Sequence, residues 1–305
     1  MFNKNDTIVF LGDSITAAGL WVNEIYEFFI DNMPEKKIKI YNSGNPGDKT
    51  WQAINRLNYD CLTHNPDYVS ILIGINDIDR GYYSPLCTDK DKQEKIDFAM
   101  NKYKDYLERI VVKCLDAGSK VVLCTLVPFD DVSHTLAENL MCNPGVEECN
   151  RFIRHLSEKY NLKVVDFYNN MKPMIGTKGL MRPDRVHPEP KGYHVMAQIW
   201  MKEMGLIEEC NFKTKYKMSE KMEKLHKLAQ LERDVLFAEY HDIPEYLDKP
   251  LAMRFEAIKK KIEIYRNEGA DWRVNSLQNY LDYAEYTYKL HSDIYDAMME
   301  LYKNE

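Results

Sequence analysis

The chain has no apolar run long enough to span a bilayer, and no apolar leader precedes its first strand-like segment, which Met1-Phe2-Asn3-Lys4-Asn5-Asp6 joins directly. Both absences predict a cytoplasmic protein with no membrane partner. It also lacks a basic excess. Its 41 Lys and Arg stand against 48 Asp and Glu, a net charge of −7, so no broad surface can neutralise a phosphate backbone and no nucleic-acid partner is expected. No two cysteines have Cys-x-x-Cys spacing. The seven, Cys61, Cys87, Cys114, Cys124, Cys142, Cys149 and Cys210, are odd in number, and several fall in apolar periodic segments, which reads as reduced thiols. Cys142 and Cys149 flank a Pro-Gly turn and could approach each other. No His or further Cys completes a ligand set beside them, so no metal is expected there. Internal repeats and low-complexity stretches are missing too. What is there is an ordinary globular balance, 45% hydrophobic and 29% charged, over 305 residues, enough for one large domain or two modest ones.

The first two-thirds of the chain alternates strand and helix signals. Ile8-Val9-Phe10-Leu11-Gly12 is a short apolar strand that breaks at a glycine and delivers Asp13-Ser14 into a turn, and Trp21, Ile25, Tyr26, Phe28 and Phe29 then fit a helix. Strands follow at 37–42, 68–74, 120–126 and 163–167, the third and fourth of the five being near-continuous apolar runs of the kind buried in a parallel sheet. Between them lie helices over about Thr50–Leu62 (Trp51, Ile54 and Leu57 on one face), Lys95–Ala117 and Val146–Tyr160, with another from Gly192 to near Gly205. Such alternation implies right-handed crossovers and helices on both faces of a parallel sheet. Ligands bind such sheets beyond the carboxyl ends of the strands. Ser14, Gly47, Asn76 and the loop Asp184-Arg185-Val186-His187 each follow a strand and so belong to one edge.

From about Lys213 the βα pattern stops. Met218, Met222, Leu225 and Leu228, then Leu251, Phe255, Ile258, Ile262 and Tyr265, then Leu277, Leu281, Ala284, Tyr288, His291, Tyr295, Met298 and Tyr302 step by three and four. Residues 213–305 therefore read as a helical extension of about three antiparallel helices after a domain over 1–210, with Tyr280, Tyr283, Tyr286, Tyr288 and Tyr295 as core or interface.

The converging strand ends hold what acyl transfer from an ester requires: a nucleophile, a base, a group to orient the base, and donors for the oxyanion. Ser14 could attack, and His187 could take its proton. Asp184 could fix the tautomer of His187, and the Ser14 and Gly47 backbone N–H groups with the Asn76 amide could hold the oxyanion. Singly, each piece has a blander use. Ser14 could cap a helix, Asn76-Asp77 could form a turn, and Asp184-x-x-His187 could be half of a metal site. No nearby cluster completes that metal site, and no cofactor is expected. Asp13 is expected to bond the turn that aims the serine. His64, His134, His155 and His194 lack comparable partners and read as surface or core residues.

These blocks, Gly12-Asp13-Ser14-Ile15-Thr16, Asn42-Ser43-Gly44-Asn45-Pro46-Gly47-Asp48, Gly74-Ile75-Asn76-Asp77 and Asp184-Arg185-Val186-His187-Pro188, resemble the four of the SGNH, or GDSL-type, hydrolases. The match covers roughly 5–207, and within the family the wording of 69–78 and 184–188 is most similar to intracellular acetylxylan esterases. The resemblance implies a flavodoxin-like three-layer α/β/α fold with a five-stranded parallel sheet. It also implies a metal-free serine esterase that deacetylates small acylated carbohydrates such as xylo-oligosaccharides. Pro46 stands where the family has a small residue, and 213–305 is outside the resemblance. The Gly-x-Ser-x-Gly elbow of the α/β-hydrolases is absent at Ser14. Trp21, Tyr82 and Tyr83, near the site ends, are candidates to stack on sugar rings. A lysophospholipase or thioesterase would use the same catalytic set, and an interaction protein built on a hydrolase domain is a third reading. A homo-oligomer is expected, with the helical extension either mediating it or walling the site.

Overall fold

Strand β1 (Thr7–Gly12) is buried along its whole length, because neighbouring strands pair with both its edges and helices cover both its faces. The structure, a computed structural model, describes residues 2–133, 141–246, 249–283 and 287–303, without the side chains at 251, 279, 283, 287 and 288. Thus His134, Ala284 and Tyr286, and the side chains of Leu251, Tyr283 and Tyr288, lie outside the described residues. The chain divides into two compact units, Met1–Met218 and Ser219–Glu305.

In the first unit β1 leads through α1 (Ser14–Ala17) and α2 (Leu20–Asn32) to β2 (Lys39–Gly44), then α3 (Thr50–Asp60) to β3 (Tyr68–Leu72). From there α4 (Lys92–Asp116) leads to β4 (Lys120–Cys124), α5 (Asn143–Tyr160) to β5 (Lys163–Val165), and α6 (Phe167–Met171) and α7 (Pro190–Glu203) close the unit. All neighbours pair in parallel, in the order β2-β1-β3-β4-β5. This is the flavodoxin-like order, and its direction reverses between β1 and β3, the switch point at which such sheets bind ligands. The segments after β1 and β3 carry Ser14 and Asn76.

The strands end earlier than their apolar runs predict. β3 stops at Leu72 because Gly74 turns away at φ 138, where a Cβ would lie 2.6 Å from the Tyr103 ring. β4 stops at Cys124, beyond which the Leu126 N–H donates to the Asn150 side chain at 2.7 Å instead of to a strand. The single helix expected after β1 is two, parted at Gly19 (φ 77). α5 begins at Asn143, ahead of the expected Val146, since Pro144 suits a helix's first turn. Of the face expected on α3, Ile54 and Leu57 are buried but Trp51 is 40% exposed.

His194 does have a carboxylate partner. It is buried on α7 with Nδ1 2.8 Å from Glu24 Oε1 and Nε2 2.7 Å from the Asn211 carbonyl, so both ring nitrogens face acceptors. Only the imidazolium can donate in both directions. The bond to Glu24 raises its pKa against the burial that would lower it. A raised folded-state pKa contributes stability that is full below the unfolded value and lost as pH rises through the folded one. Relative to His194→Gln, which has no charge to lose, the wild type should hold a larger advantage in thermal midpoint at mildly acidic pH, below the ordinary histidine value, than at alkaline pH above the raised folded-state value. An advantage equal at both pH values would contradict the charged state.

The second unit contains α8 (Glu220–Asp242), α9 (Leu251–Asn267), α10 (Asp271–Tyr283) and α11 (Thr287–Leu301), so the third expected helix is described in two pieces. Ser219 caps α8, accepting the Met222 N–H at 3.2 Å. Ala238, Ile258, Ile262, Leu277 and Tyr280 form its core. Buried Glu239 is satisfied by Arg254 at 2.9 Å and Tyr280 at 2.8 Å. On α11 the buried stripe is Leu290, Ile294, Met298 and Leu301, whereas Tyr295 is 42% exposed and His291 bonds Glu232 at 2.9 Å.

Candidate active site

Gly12 ends β1 where a side chain has no room. A Cβ would lie 2.2 Å from Thr16 Oγ1 and 2.6 Å from the Leu72 carbonyl, so glycine lets α1 start directly on the strand end. The helix cap is Asp13, whose Oδ1 accepts the Ile15 N–H at 3.0 Å. That leaves Ser14 as the first helical residue with its hydroxyl uncommitted to capping. Its Oγ lies 2.7 Å from His187 Nε2.

His187 is held by a tight loop before α7. The Arg182 N–H donates to the His187 carbonyl at 2.7 Å, the Arg185 N–H donates to the Arg182 carbonyl at 2.9 Å, and Arg185 takes a left-handed φ of 67. Asp184 then faces its own loop. Oδ1 accepts the Val186 and His187 N–H groups at 3.0 and 2.9 Å, and Oδ2 lies 2.8 Å from His187 Nδ1. Partial burial would raise the Asp184 pKa, but the two amides and the imidazole outweigh it and hold the carboxyl below its ordinary range. An ionised carboxylate on Nδ1 places the ring proton there and leaves Nε2 free to accept from Ser14.

The oxyanion candidates come from two more strand ends. The Asp48 N–H donates to the Asn45 carbonyl at 3.2 Å, closing a turn with Pro46 second and Gly47 third at φ +82. Proline then glycine with positive φ is the arrangement a type II turn requires, so Pro46 fits this backbone. Asn76 Nδ2 donates to the Asp48 carbonyl at 3.0 Å, which fixes the amide and leaves it a second N–H. The Ser14 and Gly47 N–H groups have no acceptor among the described residues.

Beneath these groups lies a buried ionic network that the sequence reading missed. Arg56, 1% exposed, donates to Asp48 Oδ2 at 2.5 Å, to the Ser43 carbonyl and hydroxyl at 3.0 Å, to the Gly12 carbonyl at 2.9 Å, and to Asp60. Burial works against its charge, but the carboxylates of Asp60 and Asp48 outweigh that and raise its pKa. Asp77 accepts the Thr50 N–H at 3.0 Å and hydroxyl at 2.7 Å, tying α3 to the residue after Asn76. Burial pushes Asp77 up to about 6 despite those bonds. Asp13 is pushed up to about 7, mainly by burial and then by the charges of Asp48 and Asp77. The available signal was Arg56 itself, a charged residue inside the apolar stripe Ala53, Ile54 and Leu57 with an aspartate four residues on.

The structure thus brings together Ser14, His187 and Asp184, and joins Asn76 to the Gly47 loop. Trp21 is corrected to core: it is 1% exposed and packs edge-on against Phe10 and Phe167 at 5.0 and 5.6 Å, leaving no face for a ligand. Tyr83 is half-buried, its ring so close to α5 that a Cβ on Gly145 would lie 2.9 Å away, and burial pushes its hydroxyl up to about 12. Tyr82 lies under Lys95 Nζ at 5.5 Å. His64 stacks on Tyr41 and His155 lies against Phe152. All seven cysteines are free, and no group of three or more metal-binding side chains occurs among the described residues. No helix among them is long and apolar enough to cross a membrane.

A crystal structure of a catalytic mutant of an acetylxylan esterase from Geobacillus stearothermophilus matches with a TM-score of 0.57 and 22% identity, over 68% of this chain and 97% of that one. A gut microbial diltiazem-metabolizing enzyme shares the fold with a TM-score of 0.81 at 13% identity, over 99% of this chain and 95% of its own. In sequence, an acetylxylan esterase of Geobacillus stearothermophilus is 25% identical over 219 residues, 66% of this chain and 95% of that protein. The family model of GDSL-like lipases and acylhydrolases matches residues 8–200, a span that takes in all four strand ends carrying Ser14, Gly47, Asn76 and His187. The chain belongs to that family and is a carboxylic ester hydrolase.

Proposed function

We propose that the protein removes short acyl groups, acetyl foremost, from carbohydrate alcohols through an acyl-enzyme on Ser14. The observation that carries this reading is the unbroken relay Ser14 Oγ to His187 Nε2 at 2.7 Å and His187 Nδ1 to Asp184 Oδ2 at 2.8 Å. Ser14 attacks the ester carbonyl as His187 takes its proton. The Ser14 and Gly47 N–H groups and the Asn76 amide hold the oxyanion. Collapse breaks the bond to the alcohol, which leaves with the proton from His187. A water then repeats the sequence against the acyl-enzyme and releases the acid. The acetyl and sugar assignments are carried over from the similarity to an acetylxylan esterase.

Acetate release from acetylated xylo-oligosaccharides, run beside one alcohol esterified with acyl chains of increasing length, tests this. Acetate should be released, and turnover should fall as the chain lengthens. No acetate release, with good turnover of long chains, would favour a lysophospholipase or thioesterase.

A further inference from the structure

Asn76 and Asp77 are consecutive residues in the segment that leaves β3, and each grips the segment that leaves β2. Asn76 Nδ2 donates to the Asp48 carbonyl at 3.0 Å. The Asp77 carboxylate accepts the Thr50 hydroxyl at 2.7 Å and the Thr50 N–H at 3.0 Å. The gripped residues, Asp48 and Thr50, stand just beyond Gly47, whose N–H is an oxyanion candidate. The gripping residues share one closed turn, because the Asp77 N–H donates to the Gly74 carbonyl at 3.0 Å. Thr50 and Asp77 are both buried, so water does not compete for the bonds between them.

An oxyanion formed at Ser14 draws on donors from three strand ends, and such donors help most when they are in place before the charge forms. Strand pairing does not place them. The β1–β2 register ends at Gly44 and the β1–β3 register at Leu72, short of both Gly47 and Asn76. Beyond those points the Asn76 and Asp77 bonds join the two loops. The Asn76 amide is itself one of the donors, so a second anchor is needed to hold it still while its other N–H meets the developing charge. Asp77 supplies that anchor from the next position in the chain.

We propose that Thr50 and Asp77 are positioning residues of the esterase reaction, whose mutual bonds hold the Gly47 N–H and the Asn76 amide at the spacing an oxyanion requires. The proposal rests on the reading of Ser14 as the nucleophile and of these groups as its oxyanion donors. Thr50 and Asp77 act through Gly47 and Asn76 and exchange no proton with the ester. A neighbouring bond gives the contrast. Gln52 Oε1 accepts the Lys49 N–H at 3.0 Å, which ties the first turn of α3 to itself and not to the β3 segment. Losing that bond weakens the same helix start without freeing one donor from the other.

Steady-state hydrolysis of one acetate ester, with the thermal midpoint of each sample, tests this. Thr50→Val keeps the shape and the N–H of Thr50 and removes its hydroxyl. It should lower kcat about tenfold to a hundredfold and leave KM within about twofold, because misplaced donors are lost to the transition state and not to the bound ester. Thr50→Ser keeps the hydroxyl and should hold kcat within about threefold of the wild type. Asp77→Asn removes the charge at constant size and should lower kcat by about threefold to thirtyfold with the same split, which carries the test if the valine variant does not fold. Gln52→Ala should change kcat by less than about twofold. Wild-type kcat in folded Thr50→Val or Asp77→Asn overturns the positioning role and leaves the Ser14 reading standing. So does a loss confined to KM, or an equal loss of kcat in Gln52→Ala. A wild type that does not cleave the ester, or a Ser14→Ala protein that still does, overturns the Ser14 reading and the positioning role with it.

Discussion

Ser14→Ala should lower ester turnover by about ten-thousand-fold or more while leaving the thermal midpoint close to that of the wild type. The pairing of those two results is what makes the substitution decisive. A serine at a strand-to-helix turn has an ordinary structural use as a helix cap, and losing a cap costs about 1 kcal/mol of stability. Here the capping bond to the Ile15 N–H is made by Asp13, and Ser14 Oγ is spent on His187 Nε2 at 2.7 Å. Alanine at the first helical position keeps the helix and removes the hydroxyl proposed to form the acyl-enzyme. Asp184→Asn should produce a fall of the same order by a different route. An amide in place of the carboxylate offers His187 Nδ1 no charged acceptor, which favours the tautomer that cannot take the Ser14 proton. The two losses should not multiply in the double variant, because both disable one relay. Turnover of a fixed acetate ester and calorimetric unfolding of the same samples read both quantities. A Ser14→Ala protein that keeps its turnover, or loses a kcal/mol of stability and little rate, returns Ser14 to the role of a structural residue.

The strand ends were legible in the sequence because they depend on local chemistry. Apolar runs broken by glycine predicted β1 and β3, and parallel connectivity alone placed Ser14, Gly47, Asn76 and His187 at one edge. Side-chain direction was not legible in the same way. Trp21 and Trp51 both fit apolar helix positions, yet Trp21 is wedged between Phe10 and Phe167 while Trp51 faces out. The difference arises from what the next layer covers, which no spacing encodes. The pairing of His194 is not legible either, because Glu24 lies 170 residues away, a separation across which sequence patterns say nothing about pairing. On α11 the pattern has the right period, and Met298 is buried as its spacing predicts. Leu290 and Ile294 complete the buried stripe while Tyr295 faces out, since tyrosine is apolar enough to fit either face.

Arg56 is the residue whose replacement should cost most in stability. Arg56→Met removes the cation that the buried carboxylates of Asp48 and Asp60 face and one donor to the carbonyls of Gly12 and Ser43, while Asn45 still donates to Asp48 Oδ1 and to the Gly12 carbonyl, each at 3.0 Å. Deleting one partner of a buried ion pair costs about 3–5 kcal/mol, because the remaining charge stays buried and unpaired. Part of that loss should appear in catalysis. Arg56 holds the carbonyl of Gly12, two residues before Ser14, and it holds Asp48, whose own carbonyl positions the Asn76 amide. Loosening both moves the turn of Ser14 relative to the proposed oxyanion donors, and a preorganised donor that drifts loses its advantage in the transition state first. The variant should therefore unfold at lower denaturant concentration and, where still folded, show a lower kcat with KM changed less. Arg56→Lys separates charge from geometry. A single ammonium keeps the positive charge but cannot reach Gly12, Ser43, Asp48 and Asp60 together, so it should recover part of the stability and less of the rate. Urea unfolding and steady-state kinetics on the two variants decide the matter. A methionine variant within about 1 kcal/mol of the wild type would mean that the network relaxes without its cation, since a buried pair that mattered could not be halved so cheaply.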